Sequence, residues 1–173
     1  MINQDEILFA KSKEEVIIPS KKEEDAGYDL YSYFEEDYIV IKPHETKLIP
    51  TGIHSAFSSD YYIQLQERGS TGSKGIAQRA GVIDSGYRGE WLIPITNTTD
   101  KVLFISKLSE KETIESYFGE VATNESIVYP YTKAICQAVL IPVPKVVVKE
   151  IPLEELKAIP SERGEGKLGS SNK

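Results

Sequence analysis

The residues best suited to chemistry lie in the stretch AGVIDSGYRGE, residues 80–90, where a carboxylate and a phenol flank a short turn. An apolar Val-Ile pair precedes Asp84, and a Ser-Gly pair separates Asp84 from Tyr87. Ser-Gly between β-prone pairs is typical of a two-residue hairpin turn, in which Gly86 would supply a positive φ. We therefore expect Asp84 and Tyr87 to lie close together at the mouth of a hairpin.

A second stretch, ERGSTGSKGI at residues 67–76, has the composition of an anion-binding loop. Glycines allow backbone N–H groups to turn toward phosphate oxygens, hydroxyls donate further hydrogen bonds, and Arg68 can bind a pair of oxygens. By itself such a stretch is more typical of a solvated polar loop. The final segment, residues 161–173, has the same character and carries three basic residues against two glutamates. A disordered terminus is the alternative interpretation of that segment.

The overall composition fits one domain with a sizeable core. The chain has 173 residues, a net charge of -7 and 40% hydrophobic residues; the length is sufficient for one hydrophobic core. The acidic balance argues against a broad nucleic-acid surface but not against one bound nucleotide. The apolar stretches are too short to cross a bilayer, we expect no signal peptide, and the single Cys136 excludes an internal disulfide. We expect a cytoplasmic protein without a membrane or nucleic-acid partner.

The elements that must position these residues are predicted to be short β-strands. Segments with a period of two or with β-branched residues predict strands at 7–9, 16–18, 26–32, 38–41, 47–49, 61–66, 91–96, 127–128, 134–142 and 145–151, the last with a buried valine triplet. Residues 109–118 favour a short helix or an inserted loop, and 152–156 one helical turn. Many short strands and frequent turns indicate an all-β sandwich or barrel. We predict one β domain, residues 1–160, and a flexible Gly-rich C-terminal arm, residues 161–173.

Five motifs along the chain resemble, in order and approximate spacing, those of the trimeric dUTP diphosphatase (dUTPase) family. They are AGYDLYS from residue 26, the Arg-Gly-Ser-Thr loop, GVIDSGYRGE, ICQ at 135–137 and RGEGKLGSS in the tail. The first and third are close to verbatim, and the fourth is weak. The resemblance implies a jelly-roll (β-barrel) domain and an enzyme that hydrolyses dUTP to dUMP and pyrophosphate with Mg²⁺. It also implies a homotrimer in which the C-terminal arm closes over the nucleotide.

The resemblance further implies a role for each matching residue. Asp84 would activate the water that attacks the α-phosphorus, and Asp29 would be a buried carboxylate that supports the site near the triphosphate. Tyr87 would lie under the sugar and exclude a 2′-hydroxyl, while Gln137 would contact the phosphate region from a neighbouring subunit. The other substrate-binding positions implied are Arg68, Gly69, Ser70, Gly81, Val82, Ile83, Arg163, Gly164, Gly166, Leu168, Gly169 and Ser170. No protein residue is expected to bind Mg²⁺ directly, because the triphosphate carries the ion.

Several positions depart from the family's usual motifs. Gly69 stands where a serine usually follows the arginine, with Ser70 next to it, and Leu168 stands where an aromatic residue usually covers the uracil. The connection between residues 103 and 129 is longer than is usual. A nucleotide-binding or regulatory protein with weakened catalysis is therefore an alternative. A relative of dCTP deaminase is disfavoured, because the strand after the turn, LIPITN, offers no carboxylate.

Overall fold

The computed structural model describes residues 2–119 and 125–166. The chain forms two compact units, Met1–Val143 and Pro144–Lys173. The strands are β1 (Ile7–Lys11), β2 (Gly27–Leu30), β3 (Tyr38–Ile41), β4 (Thr46–Pro50), β5 (Ile53–Phe57), β6 (Tyr61–Gln66), β7 (Ile76–Gln78), β8 (Val82–Ile83), β9 (Leu92–Asn97), β10 (Val102–Ser106), β11 (Ser126–Pro130) and β12 (Cys136–Pro142). The helices are α1 (Gly69–Gly72), α2 (Glu110–Phe118) and α3 (Leu153–Ala158). Across the described residues, none of these helices is long and apolar enough to cross a membrane.

The strands of the first unit form four small sheets, with the orders β1-β5, β11-β10-β3, β2-β12-β6-β8 and β4-β9-β7. β10 and β11 run parallel with α2 between them in the chain. The other paired strands of the described residues run antiparallel. This arrangement confirms the predicted all-β fold class.

The inner faces of the sheets share one hydrophobic core, in which Trp91 is the largest fully buried side chain. Its backbone N–H donates to the carbonyl of Ile53 at 2.8 Å, and its indole Nε1 donates to Ser55 Oγ at 3.2 Å. A buried tryptophan normally needs such a partner for its N–H group. The two bonds attach the start of β9 to β5, directly after residues 80–90.

Most of the predicted strands are confirmed. The segments 38–41 and 61–66 coincide with β3 and β6, and 47–49 lies within β4. β5, β7 and β10 have no counterpart among the predicted strands. β10 lies between β11 and β3, and four of its five residues are buried, so its sequence is continuously apolar instead of alternating.

Two predicted strands are absent, at residues 16–18 and 145–151. The expectation that the valine triplet of the second segment is buried was wrong: Val146, Val147 and Val148 are 77%, 83% and 90% exposed. The β-branched composition is that of a strand, but Pro144, two residues after the end of β12, has no N–H group to donate to a partner strand. Residues 145–151 therefore form no strand.

The long connection between residues 103 and 129 is structured: β10 leads to α2, and β11 follows. Ser109 caps α2, because its Oγ accepts from the Glu112 N–H at 3.3 Å while the Glu112 carboxylate accepts the Ser109 N–H at 3.0 Å. Hydrogen bonds from the Ser109 hydroxyl and then from its backbone N–H lower the pKa of Glu112. This confirms the helical alternative for residues 109–118.

The first compact unit ends at Val143, whereas the predicted domain extends to residue 160. The second unit contains α3, which agrees with the helical turn expected near 152–156. The division into a β domain and a flexible arm stays a prediction, as does the cytoplasmic location.

Candidate active site

One cleft of about 370 Å³ lies where β2 and β12 meet the loop that follows β6. It is lined by Asp25, Ala26, Gly27, Asp29, Arg68, Gly69, Ser70 and Gln137. The strand register explains part of this set, because Asp29 pairs with Gln137, which pairs with Gln66. Five predicted site residues are therefore brought together: Asp29, Arg68, Gly69, Ser70 and Gln137. We call this region the phosphate cleft.

Arg68 is held in place inside the phosphate cleft by a forked ion pair. Its Nε lies 3.0 Å from Asp29 Oδ1, and its Nη2 donates to Asp29 Oδ2 at 3.2 Å. Its Nη1 donates to the carbonyl of Ala134 at 3.2 Å. Asp29 was expected to be buried, but its side chain is 35% exposed. The pair orients the guanidinium while leaving part of it open to an anion.

The loop after Arg68 forms the short helix α1 instead of an open loop. Thr71 is buried, and its Oγ1 accepts from the Arg68 N–H at 3.2 Å. Gly69 and Ser70 line the cleft in the first turn of this helix. The glycine-rich composition therefore serves a tight helical turn anchored by one threonine.

Gln137 lines the phosphate cleft of its own chain, whereas the resemblance led us to expect it from a neighbouring subunit. Its Nε2 donates to the carbonyl of Glu67 at 2.8 Å. A Cβ added at Gly27 would lie 2.7 Å from Gln137 Oε1, so the glycine makes room for the amide. Asp25 and Gly27 thus belong to the cleft, although sequence reasoning gave neither a role. Their place within or next to the AGYDLYS motif is the signal that could have identified them.

A second cleft, of about 260 Å³, lies around the stretch that follows β8. It is lined by Ala80, Gly81, Val82, Ile83, Asp84, Tyr87, Glu90, Leu92 and Pro94. The predicted residues Gly81, Val82, Ile83, Asp84 and Tyr87 are therefore brought together here. Leu92 and Pro94 alternate along β9, a period-two signal that could have identified them. We call this region the nucleoside cleft.

A turn after β8 brings Asp84 and Tyr87 together, as expected, because the Tyr87 N–H donates to the Asp84 carbonyl at 3.0 Å. The rest of the hairpin expectation was wrong. β8 pairs with β6, and β9 pairs with β4 and β7, so no hairpin joins β8 to β9 in the described chain. Gly86 has no positive φ; the positive values near the turn are at Ala80 (54°) and Gly81 (115°).

Gly81 is required by the close approach of two segments. Its carbonyl accepts the Leu65 N–H at 2.8 Å, and a Cβ added there would lie 2.8 Å from Leu65 Cβ. With a φ of 115°, the position also disfavours other residues. The close approach of Gly81 to Leu65 fixes the backbone at the start of β8 and hence the location of Asp84 at its end.

Asp84 itself is exposed, and no hydrogen bond or ion pair from the described residues engages its carboxylate. The carboxylate is therefore available to a water molecule or a hydroxyl group. Tyr87 is 44% exposed, and its hydroxyl donates to the carbonyl of Glu90 at 3.1 Å. The phenol ring is consequently held by the backbone three residues further along.

Sequence reasoning missed two residues that attach this turn to the body of the protein. Arg88 Nη1 donates to the carbonyls of Ser85 at 2.7 Å and Ser55 at 3.2 Å. Glu90 Oε1 accepts the N–H groups of Thr51 at 3.1 Å and Gly52 at 2.7 Å. Three of these four partners are backbone groups far away in the chain, and no local pattern predicts such contacts.

Asp29 lies on one edge strand of a sheet, and Asp84 follows the opposite edge strand. The order β2-β12-β6-β8 separates Asp29 on β2 from the end of β8 by three strand spacings, about 14 Å. The two clefts have no lining residue in common. On a single chain, the predicted site residues therefore form two separate groups.

Cys136 lies beneath the phosphate cleft and is fully buried. Burial raises its pKa to about 12, with opposing smaller effects of the nearby Arg68 and Asp29 charges. The thiol therefore stays protonated at neutral pH and is no nucleophile. Within residues 2–119 and 125–166, no group of three or more His, Cys, Asp or Glu side chains is arranged to hold a metal ion.

The predicted residues of the arm are described in part. Arg163, Gly164 and Gly166 belong to the second unit, where Arg163 Nε donates to the Gly166 carbonyl at 3.4 Å. In the same unit, Lys157 pairs with Glu165 at 3.0 Å. Leu168, Gly169 and Ser170 lie outside the described residues.

Comparison with known proteins shows the family of the chain. A family model described as dUTPase matches residues 13–109, more than half of the chain. The deoxyuridine 5′-triphosphate nucleotidohydrolase of Nautilia profundicola is 34% identical over 167 residues, which covers 94% of this chain and 96% of that protein. The Finegoldia magna protein of the same name is 43% identical over 84 residues, 47% of this chain and 58% of that protein.

The fold agrees as well. The dUTPase of Staphylococcus bacteriophage 80alpha, solved with dUPNHPP, superposes with a TM-score of 0.71 at 23% identity, covering 98% of this chain and 99% of that one. The jelly-roll prediction is thereby confirmed, and so is the predicted family of enzymes. The chain belongs to the dUTPase family.

Proposed function

We propose that this protein hydrolyses dUTP to dUMP and pyrophosphate, with Asp84 activating the water that attacks the α-phosphorus. The observation that carries the proposal is the free Asp84 carboxylate beside Tyr87 in a cleft of nucleoside size, in a chain that also has an arginine-lined cleft. General-base assistance by a positioned carboxylate contributes about 10²–10⁴-fold to rate. The exposed position of Asp84 leaves it accessible for that task.

The phosphate cleft supports triphosphate binding. The forked pair with Asp29 holds Arg68 ready before the ligand arrives, so little ordering is required on binding. The Ser70 hydroxyl and Gln137 amide add uncharged donors around the same cleft. Hydrolysis of a triphosphate depends mainly on positioning and charge neutralisation, which this donor set fits.

The donor set also fits a Mg²⁺ ion carried by the triphosphate. Asp25 and Asp29 bring carboxylates to the cleft beside Arg68, and oxygen ligands are those that Mg²⁺ prefers. Bound there, the ion would neutralise phosphate charge and favour the in-line approach of water. The triphosphate would hold the ion, and Asp29 would support the site from the protein side.

The nucleoside cleft supports recognition of the deoxyuridine part. The backbone of residues 81–87 would contact the uracil edge, and Tyr87 would lie under the sugar and exclude a 2′-hydroxyl. The exposed side chains of Val82 and Leu92 give this cleft an apolar rim. A base and a sugar ring need such apolar contact together with a few directed polar groups.

We propose further that the protein is a homotrimer in which one site combines two chains. The absence of shared lining residues supports this, as does the separation of Asp29 on β2 from the end of β8 by three strand spacings, about 14 Å. The nucleoside cleft of one copy would then meet the phosphate cleft of the next. The exposed valine triplet at 146–148 supports an association, since contiguous apolar surface usually marks an interface.

The C-terminal segment would complete the site. Arg163 would pair with the γ-phosphate, and backbone N–H groups around Gly164, Gly166 and Gly169 would contact other oxygens, with Ser170 beside them. Leu168 would cover the uracil without stacking on it. Closing of the segment would exclude water and fix the triphosphate for attack.

A second candidate is a nucleotide-binding or regulatory protein with weakened catalysis. The observation that favours it is Gly69, which brings no hydroxyl next to Arg68. Relatives of dCTP deaminase are a weaker candidate, because β9 carries no carboxylate.

Steady-state release of pyrophosphate from dUTP, dCTP and dTTP, with and without Mg²⁺, tests the proposal. We expect release from dUTP that depends on Mg²⁺. Nucleotide binding without turnover would support the second candidate, and release of ammonia from dCTP would support a deaminase.

A further inference from the structure

Glu90 connects the nucleoside cleft to the body of the protein. Its Oε1 accepts the backbone N–H groups of Thr51 and Gly52, at 3.1 and 2.7 Å, in the turn between β4 and β5. Hydrogen bonds to an ionised acceptor are among the stronger ones. Thr51 is 1% exposed, so the carboxylate is attached to a part of the chain that is itself fixed in the core.

The chain immediately after Glu90 is attached just as firmly. The Trp91 N–H donates to the Ile53 carbonyl at 2.8 Å, and Thr51 Oγ1 donates to the Trp91 carbonyl at 2.7 Å. Residues 86–88 before it are exposed. Glu90 is therefore the point at which the exposed turn becomes part of the rigid core.

The ring of Tyr87 rests on this attachment point. The Tyr87 hydroxyl donates to the carbonyl of Glu90 at 3.1 Å. A Cβ added at Gly89 would collide with the Tyr87 ring, so the ring lies directly against the Gly89 backbone. A shift of the backbone at 89–90 consequently moves the ring.

We propose that Glu90 is a positioning residue that sets discrimination between deoxyribose and ribose by fixing the Tyr87 ring. The inference rests on the proposed function, in which Tyr87 lies under the sugar. The Trp91 N–H still holds the peptide that carries the Glu90 carbonyl, but loss of the carboxylate frees the backbone at Gly89, against which the ring lies. The ring then moves away from the sugar, and a 2′-hydroxyl fits. Glu90 transfers no proton and need not touch the nucleotide.

The test compares kcat/KM for dUTP and UTP in the full-length wild type, Glu90→Ala and Glu90→Gln. The Gln carbonyl oxygen can still accept both N–H groups, whereas alanine cannot. We expect Glu90→Ala to lower the dUTP/UTP ratio by about tenfold or more, because displacements of about 1 Å have effects of this size. Glu90→Gln should keep a ratio close to that of the wild type.

Two further variants separate positioning from general structural damage. Glu45→Ala is the matched control, since the Glu45 carboxylate also accepts one turn N–H, from Lys42 at 2.7 Å, but lines neither cleft. It should leave the ratio unchanged. In a Tyr87→Ala background, Glu90→Ala should change the ratio no further, because the effect passes through the ring.

The outcomes distinguish the inference from the function on which it rests. If the wild type prefers dUTP to UTP and Glu90→Ala has the same dUTP/UTP ratio, the inference is overturned and the proposed function stands. The inference is also overturned if Glu90→Ala changes the ratio as much in the Tyr87→Ala background as in the wild type. A wild type that releases no pyrophosphate from dUTP overturns both. If Glu90→Ala fails to fold, Glu90→Asp, which is one methylene shorter, must lower the ratio instead, and an unchanged ratio there counts against the inference.

Discussion

The two clefts hold their functional groups in different ways. In the phosphate cleft, the charged groups hold one another, because Arg68 is bound by Asp29 and both belong to or adjoin sheet strands. In the nucleoside cleft, no described residue engages the Asp84 carboxylate, and the surrounding backbone is held by Arg88 and Glu90. The Arg68 side chain is thus oriented in advance by its partner, whereas the Asp84 carboxylate is left without one among the described residues.

The difference predicts different consequences of mutation. Under the proposed function, loss of the Arg68 charge should weaken binding, because the pair with Asp29 orients an arginine that would bind the phosphates. A change at Asp84 should affect turnover and leave binding largely intact.

The largest effect is expected from Asp84→Asn. The amide cannot accept the proton of the attacking water, so kcat should fall by about 10³-fold while nucleotide affinity changes little. Pyrophosphate release and calorimetric binding of an imido analogue of dUTP measure the two quantities. Asp100→Asn is the matched control, because Asp100 is a carboxylate 98% exposed that pairs only with His44 among the described residues. Retained turnover in Asp84→Asn would remove Asp84 from the reaction.

Arg68→Ala should weaken binding of the imido analogue by about 30-fold, the value expected for lost charge-assisted hydrogen bonds. Affinity for dUMP should change less, because dUMP lacks the β- and γ-phosphates. Arg79→Ala serves as control, since Arg79 lines neither cleft and bonds Thr96 Oγ1 at 3.3 Å. An equal loss for dUMP and the analogue would speak against a triphosphate role.

A third prediction concerns the buried thiol next to the phosphate cleft. The pKa of Cys136 rises from 9.0 to about 12 on folding, so below pH 9 the thiol is protonated in both states and has no effect. Between pH 9 and 12 only the unfolded chain loses the proton, and the free energy of unfolding should fall by about 1.4 kcal/mol per pH unit from this group. Urea unfolding of the wild type and Cys136→Ala across this range measures the difference. Parallel pH profiles would contradict the prediction.

The smallest effect is expected from Gly69→Ser. A Cβ at Gly69 meets no atom within 4 Å, so the side chain fits without displacing a neighbour. The added hydroxyl should raise turnover about fivefold, the value of one ordinary hydrogen bond. If Ser70 already makes this contact, Gly69→Ser will have no effect and Ser70→Ala will lower turnover instead. Pyrophosphate release by both variants decides between these possibilities.

The residues of both clefts could be predicted from the sequence, but the backbone that holds the nucleoside cleft could not, for a physical reason. Asp29 lies on a strand with clear alternation, and cross-strand pairing brings it next to Gln137 without any unusual backbone. The turn around Asp84 instead depends on a positive φ at Ala80 and on long-range bonds from Arg88 and Glu90. Side chains that bind a distant backbone carbonyl or N–H group leave no local pattern in the sequence.

The valine triplet shows a second limit. Its composition predicts burial, and 77–90% exposure in a single chain contradicts that prediction. Composition can indicate that a segment is apolar enough to be buried. It cannot indicate whether the same chain or another chain buries it. Likewise β10 was overlooked because a central strand is continuously apolar, and its burial depends on the neighbours β11 and β3.

The central claim, that one site joins the phosphate cleft of one chain to the nucleoside cleft of another, is tested most directly by mixing two impaired variants. Asp84→Asn keeps its phosphate cleft, and Arg68→Ala keeps its nucleoside cleft. After co-refolding in equal amounts, half of each kind of cleft is intact, so about a quarter of the sites should combine two intact halves in a symmetric oligomer. At a dUTP concentration well below KM, the account predicts recovery of about a quarter of wild-type pyrophosphate release. A mixture no more active than the two variants measured separately would contradict it, because each chain would then carry its own complete site.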